Sequence, residues 1–176
     1  TLMTFYNLNK ETVDKLLEDM SINLSDDYLE KNLDYYLKRT SHGSTLSRVV
    51  HAQLAEIIGD DELSWELYSG ALASDFNDIQ GGTTAEGIHA GVMAGTIMIA
   101  LSTYAGIDIR GEVLNVNPNM PASWKGIEFN MKFKGVSYHF VINHESVEIV
   151  GDKDSIIKLK RETHSLTAKK VTTIKL

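Results

Sequence analysis

The spacing of apolar residues changes once along this chain, near Ile107, and that change limits the folds the chain can adopt. Before Ile107, apolar residues recur every three or four positions, which is the period of an amphipathic helix. After it they alternate with polar residues, as over 127–133, which is the period of a half-buried strand. We therefore expect a helical part that ends near Tyr104 and an antiparallel β part from about Arg110.

The helical part is predicted to hold five helices. The first four are expected over about 10–20, 26–38, 46–58 and 62–74, and the fifth from near Thr83. Asn9 and Ser25 are candidate N-caps of the first two helices. In the β part we expect strands at 127–133, 136–142, 147–149, 156–159 and 171–176, arranged in two layers.

A glycine-rich loop at 80–84 leads into the fifth helix. Thr83, with Glu86 three residues later, fits a capping box and predicts a helix start near Thr83. Glycines 87, 91 and 95 would share one face of this helix, so another backbone could approach it closely. Backbone N–H groups at a helix start also bind anions, and His89 could add a donor.

A second polar loop, at 40–47, precedes the third helix. Ser44 or Thr45 could cap that helix, or the loop could form a second anion-binding helix start. We interpret His51, within the helix, as a hydrogen-bonded structural histidine. Asp75 and Asp78 could resemble a general acid/base pair, but their place in a turn explains them more simply.

Charge and composition narrow the possible partners. The formal net charge is −7 and no basic run occurs, which argues against nucleic acid or an anionic membrane. The chain has no cysteine, so it has no disulfide framework and no cysteine-based metal site. The first ten residues lack the features of a signal peptide. The apolar segment 88–104 is interrupted by polar residues, so it fits a buried helix better than a membrane span. We therefore expect a cytoplasmic protein.

Four motifs together are far more specific than any one of them. They are SHGSTLS at 41–47, DIQGGTTAEGIH at 78–89, MAGT at 93–96 and PNMP at 118–121, followed by Trp124. In combination they resemble the C-terminal end of a glycoside hydrolase family 65 enzyme, the family of maltose, kojibiose and trehalose phosphorylases.

The resemblance implies an α+β fold in two parts. Residues 1–108 would be the last helices of an (α/α) barrel, and residues 109–176 a small antiparallel two-layer β-domain. Enzymes of the family are several times longer, and their general acid, a glutamate, lies upstream. This chain would therefore hold no catalytic residue and be inactive alone.

The resemblance also implies a phosphate site, for which Ser44, Thr45 and His89 are the candidate residues. Inorganic phosphate would be a co-substrate beside an α-linked disaccharide, with no metal and no further cofactor, and the parent enzyme would be a homo-oligomer. Gly43 stands where some family members carry an acid, so 41–47 offers no carboxylate as a base. We interpret Glu86 as a capping residue.

Two alternatives stay open at this stage. The same fragment could belong to a family hydrolase, in which the loops would position water instead of phosphate. The second alternative is an interaction module of helices and strands that has no catalytic activity. A glutamate-bearing barrel segment upstream would support the two enzyme hypotheses, and an unrelated domain would support the third.

Overall fold

The computed structural model describes residues 2–41, 45–78 and 87–176. The chain divides into two compact units, Thr1–Ile99 and Ala100–Leu176. Helices dominate the first unit and strands the second, which confirms the α+β class. The division into a barrel portion 1–108 and a β-domain 109–176 stays a prediction.

The helical unit follows the predicted order. Its helices are α1 (Leu2–Asn7), α2 (Lys10–Asp19), α3 (Tyr28–Leu37), α4 (Thr45–Ile57), α5 (Asp61–Leu72) and α6 (Ala90–Met98), and α6 continues into a π-helix (Ile99–Tyr104). The short α1 and the π-helix were not predicted. Six residues give α1 too few positions for a helical period to be recognised.

The two proposed N-caps have different outcomes. The Asn9 side chain accepts a hydrogen bond from the Thr12 N–H at 2.8 Å, so that prediction is confirmed. The Ser25 prediction is wrong, because α3 begins at Tyr28 with Asp27 in the cap position. The Ser25 carbonyl instead accepts from the Tyr28 N–H at 2.9 Å, so a turn precedes the helix.

One apolar cluster holds helices α1 to α4 together. Its buried members come from all four helices: Leu2, Val13, Tyr28, Leu29, Leu33, Val50, Leu54 and Ala55. The four helices therefore share one apolar core. His51 is also buried, and its Nδ1 lies 2.6 Å from the Ser47 carbonyl oxygen, as expected for a structural histidine.

The β unit contains two four-stranded sheets. Its strands are β1 (Ile107–Asp108), β2 (Leu114–Val116), β3 (Ile127–Phe133), β4 (Val136–Ile142), β5 (Ser146–Gly151), β6 (Ser155–Leu159), β7 (Glu162–Leu166) and β8 (Thr172–Lys175). The sheet orders are β1-β2-β6-β7 and β3-β4-β5-β8. Strands β1, β2 and β7 were not predicted, and the β2–β6 pair is parallel where antiparallel pairing was expected.

Both sheets bury side chains in a single core, which confirms the two-layer prediction. Leu114 and Ile157 from one sheet and Phe140 and Ile149 from the other are fully buried in it. A two-residue turn with positive φ at residues 134 and 135 joins β3 to β4, and it pairs Phe133 with Val136.

The start of α6 differs from the prediction. The helix begins at Ala90, and His89 occupies its N-cap position, so the start near Thr83 is wrong. Gly87 has a φ of 99°, which no helical residue adopts, and residues 87–89 are not helical. Thr83 and Glu86 themselves lie outside the described residues.

Of the three glycines expected on one helix face, a single one makes a close approach. Gly87 precedes the helix, and a Cβ added at Gly91 would meet no described atom within 4 Å. A Cβ added at Gly95 would lie 3.0 Å from Cγ1 of Val49 on α4. Gly95 therefore sets the distance between α6 and α4.

We predict that Gly95→Val destabilises the helical unit more than Gly91→Val does. Both changes put the same β-branched side chain into α6, but only the first overlaps Val49, and overpacking of this kind costs roughly 1–3 kcal/mol. Urea unfolding followed by circular dichroism at the helical band measures the difference. Equal loss of stability in both variants would contradict the assigned packing.

A second glycine position constrains the β unit. Gly106 has a φ of 67°, and an added Cβ would lie 1.9 Å from the Asn117 carbonyl oxygen. The Asn117 N–H donates to the Gly106 carbonyl at 2.8 Å, so the two backbones are already bonded and cannot separate freely. No residue with a side chain fits here.

We expect Gly106→Ala to cost the β unit more than about 3 kcal/mol, which is large for a single methyl group. The control is Gly135→Ala, where φ is 81° but no described atom lies within 4 Å of the added Cβ. That variant should lose only the left-handed backbone term, roughly 1–2 kcal/mol. Trp124 fluorescence during thermal unfolding, in a Trp65→Phe background, reports on the β unit. Similar losses in the two variants would show that the contact with Asn117 is not limiting.

Candidate functional site at the starts of helices α4 and α6

A carboxylate that follows α5 holds the residue that begins α6. Asp75 Oδ1 lies 2.6 Å from His89 Nδ1, and Asp75 Oδ2 accepts the His89 backbone N–H at 2.9 Å. The two residues are fourteen positions apart in the chain. A single side chain therefore fixes both the backbone and the ring of His89.

The turn that carries Asp75 is itself tied to α5. Ser74 is buried, and its hydroxyl donates to the Ala71 carbonyl at 2.7 Å. The N–H groups of Phe76 and Asn77 both donate to the Ala73 carbonyl, at 2.9 and 2.8 Å. These bonds wind the chain tightly after α5 and direct the Asp75 carboxylate to the start of α6.

The hydrogen bonds with His89 lower the pKa of Asp75. The largest cause is the bond to the imidazole, and the bond from the His89 backbone N–H and the charge of the ring act in the same direction. Partial burial of the carboxylate opposes them. Its side chain is 14% exposed and that of His89 30%, so the imidazole is the more accessible of the two. At neutral pH, Asp75 is an anion whose two oxygens accept from His89.

Helices α4 and α5 form an antiparallel pair. A three-residue connection, 58–60, separates them, and the two helices pack along each other. Near the start of α4, the guanidinium of Arg48 lies against Gly70 near the end of α5, where an added Cβ would be 2.8 Å from Arg48 Nη1. The start of α4 therefore lies beside the end of α5.

It follows that α4 and α6 begin at the same end of the helical unit. Asp75, three residues beyond the end of α5, bonds to His89 at the start of α6. Thr45 is the first residue of α4 and is 3% exposed. Thr45 and His89 thus occupy two helix starts at one end of the unit.

The structure describes two of the three predicted phosphate-binding residues. Thr45 and His89 lie at the two helix starts, and Ser44 lies outside the described residues. A shared pocket for the three side chains stays a prediction.

Two residues at this end were missed by sequence reasoning. Asp75 was interpreted as a turn residue, because a carboxylate fourteen positions before a histidine carries no local signal. Arg48 was not considered, although a cation one turn into a helix that begins at a threonine is a recognisable feature. The Arg48 Nε is buried and has no hydrogen-bond partner among the described residues.

The described parts of the chain hold no group of three or more His, Cys, Asp or Glu side chains arranged to bind a metal ion. Within those same ranges, no helix has both the length and the apolar character needed to cross a bilayer.

Comparison with known proteins identifies the family. The model of the glycosyl hydrolase family 65 central catalytic domain matches residues 1–98, and that of the family 65 C-terminal domain matches residues 107–166. This chain belongs to glycoside hydrolase family 65, as its motifs had indicated.

Relatives and a solved structure agree with this assignment. The chain is 38% identical over 168 residues to trehalose 6-phosphate phosphorylase of Lactococcus lactis, covering 96% of this chain and 22% of that protein. It is 34% identical over 140 residues to kojibiose phosphorylase of Caldanaerobacter subterraneus, covering 78% of this chain and 17% of that protein. A solved structure described as a putative kojibiose phosphorylase from the human microbiome has a TM-score of 0.74 and 26% identity, over 87% of this chain and 20% of that one. The chain thus spans about a fifth of the length of these proteins.

The lowered pKa of Asp75 predicts how the stability of the helical unit depends on pH. In the unfolded chain an aspartate has a pKa of about 3.9, so the unfolded state takes up protons first as the pH falls. The stabilising contribution of Asp75 should be complete above about pH 4 and be lost as the pH drops through the folded-state pKa. Asp75→Asn should therefore lower stability at pH 7 and differ less from wild type in acid.

Asp152→Asn is the matched control. Asp152 also accepts a backbone N–H, that of Ser137 at 2.8 Å, and its pKa is also lowered, but it lies in the β unit and has no imidazole partner. Urea unfolding across the acid range should show the Asp75 effect in the helical signal and the Asp152 effect in the β signal. A gap between wild type and Asp75→Asn that stays constant with pH would contradict the assignment.

Proposed function

We propose that this chain is the C-terminal portion of a phosphorylase that cleaves an α-linked glucose disaccharide with inorganic phosphate, and that it contributes part of the phosphate site. The observation that carries the proposal is the placement of Thr45 and His89 at two helix starts on the same end of one unit. Membership of glycoside hydrolase family 65 supplies the reaction class.

The reaction explains why such a site is needed. An inverting glycoside hydrolase uses one carboxylic acid to protonate the leaving oxygen and a second carboxylate to activate water. A phosphorylase replaces that water by phosphate, which is already an anionic nucleophile. A phosphate oxygen bonds to the anomeric carbon, the glycosidic bond breaks, and an acid supplies the proton to the departing sugar. We assign that acid to the glutamate that the family carries upstream.

The helix starts suit an anion. The first N–H groups of a helix have no partner within the helix, and its dipole places partial positive charge there. In its protonated form the His89 imidazole donates through both nitrogens, one of them towards Asp75. The Thr45 hydroxyl and, by family resemblance, the Ser44 hydroxyl complete the proposed cradle, with the Arg48 charge one turn behind Thr45.

The relatives favour phosphate over water as the second substrate. The relatives from Lactococcus lactis and Caldanaerobacter subterraneus are both phosphorylases by name, one of trehalose 6-phosphate and one of kojibiose. We extend from them the reaction class and the α-linked disaccharide, not a particular sugar. A cytoplasmic location and a homo-oligomeric parent are part of the same proposal.

His89→Ala tests the proposal in a full-length enzyme that carries this sequence. Loss of a charge-assisted hydrogen bond costs roughly 1.5–3 kcal/mol, so the KM for phosphate should rise about tenfold to a hundredfold. The fold should survive, because the Asp75 bond to the backbone N–H of residue 89 remains. Initial rates with trehalose, maltose and kojibiose, over a range of phosphate concentrations, give the result.

The matched control is His139→Ala. That histidine lies in the β unit, where its Nδ1 is 3.0 Å from the Asn130 side-chain oxygen, and its loss should leave the KM for phosphate unchanged. The isolated 176-residue chain should be inactive in the same assay. Glucose release that does not depend on phosphate would identify a hydrolase and overturn the proposal.

A further inference from the structure

We propose that Asp75 is a positioning residue for the phosphate site: it accepts a hydrogen bond from Nδ1–H of His89 and so assigns Nε2 as the nitrogen that meets the anion. The inference rests on the proposed function, in which His89 contacts phosphate. It adds a residue that lies outside the motifs of the two loops and that acts only through His89.

The geometry places a proton on Nδ1 of His89. An ionised carboxylate only accepts hydrogen bonds, so at 2.6 Å from Oδ1 the Nδ1 of His89 carries the proton. The second carboxylate oxygen accepts the backbone N–H of the same residue at 2.9 Å. With the backbone and the ring both held by one group, the imidazole cannot turn over without breaking a bond to Asp75.

Exposure separates the roles of the two side chains. The Asp75 side chain is 14% exposed and the His89 side chain 30%, so the carboxylate is the less accessible of the two groups to an anion in solvent. This order matters for an anion, because a bare carboxylate facing phosphate would repel it. In its protonated form the His89 ring bonds to the carboxylate through Nδ1 and presents Nε2–H as a donor for an anion.

Asp75→Asn should move the proton of the neutral His89 ring from Nδ1 to Nε2 while keeping a side chain of the same shape at residue 75. The amide oxygen stays on the His89 backbone N–H, since the amide nitrogen in that position would bring two donors together. The amide nitrogen then faces Nδ1 and donates to it, so Nδ1 becomes an acceptor. The neutral ring takes up the Nε2–H tautomer, and the negative charge beside Nδ1 is gone.

The first measurement concerns the tautomer and needs no activity. In ¹⁵N-labelled 176-residue chain, under alkaline conditions in which the ring shifts no longer change with pH, those of His89 should report Nδ1–H in wild type. Asp75→Asn should report Nε2–H. Asp152→Asn, which removes a carboxylate from a backbone N–H in the other unit, should leave His89 as in wild type. The same tautomer in wild type and Asp75→Asn would overturn the inference.

The second measurement is kinetic, in the full-length enzyme that carries this sequence. Asp75→Asn should raise the KM for phosphate about tenfold, as for one weakened charge-assisted hydrogen bond, and change the KM for the disaccharide little. Asp75→Glu keeps an acceptor for Nδ1 and should recover part of the loss. Equal changes in both KM values, with no recovery in Asp75→Glu, would indicate a merely structural role and overturn the inference.

The two proposals fail in different ways. If His89→Ala leaves the KM for phosphate unchanged while Asp75→Asn still switches the tautomer, the proposed function is wrong and the assignment of the ring protons stands. If His89→Ala raises that KM but the tautomer does not depend on Asp75, the proposed function stands and this inference is wrong.

Discussion

The hydrogen bonds from His89 to Asp75 are the interaction on which the candidate site depends. They join the turn after α5 to the N-cap of α6 across fourteen positions, with both carboxylate oxygens engaged. The turn precedes residues 79–86 in the chain and α6 follows them. The bonds between Asp75 and His89 fix where α6 begins relative to the turn. A tertiary contact between a turn and a helix start therefore positions His89.

Helix α4 packs against both α5 and α6, and this packing explains why α4 and α6 begin at the same end of the unit. Arg48 lies over Gly70 on α5, and Val49, the next residue, lies against Gly95 on α6. Two glycines on two different helices thus admit consecutive side chains of α4. Helices α4 and α5 are antiparallel, so the start of α4 lies beside the end of α5. Asp75, just after α5, bonds to His89 at the start of α6, and the starts of α4 and α6 therefore lie at the same end. A side chain at residue 95 would press directly on Val49, near the start of α4.

The sequence predicted the parts of this structure that depend on a repeated local pattern. Four helices and the β3–β4 hairpin follow from apolar spacing and from Lys134-Gly135, because period and turn chemistry are local properties. The start of α6 could not be predicted in this way. Thr83 and Glu86 fit a capping box, but the helix begins at Ala90. Gly87 has a positive φ, and the His89 N–H donates to the Asp75 carboxylate. The parallel β2–β6 pair was missed for a related reason, since strand partners far apart in sequence leave no local signal.

The state of Asp75 also bears on the choice between phosphate and water as the nucleophile. A carboxylate that activates water must accept a proton in the transition state, and it serves best when its pKa lies near the working pH. Both oxygens of Asp75 already accept from His89, and those bonds hold the pKa of Asp75 below its usual range. Each feature makes it a poor base. The carboxylate that accepts from Nδ1–H leaves Nε2 as a donor only while the His89 imidazole is protonated. Among the described residues at this end of the helical unit, Asp75 is therefore poorly suited to be the base that activates water.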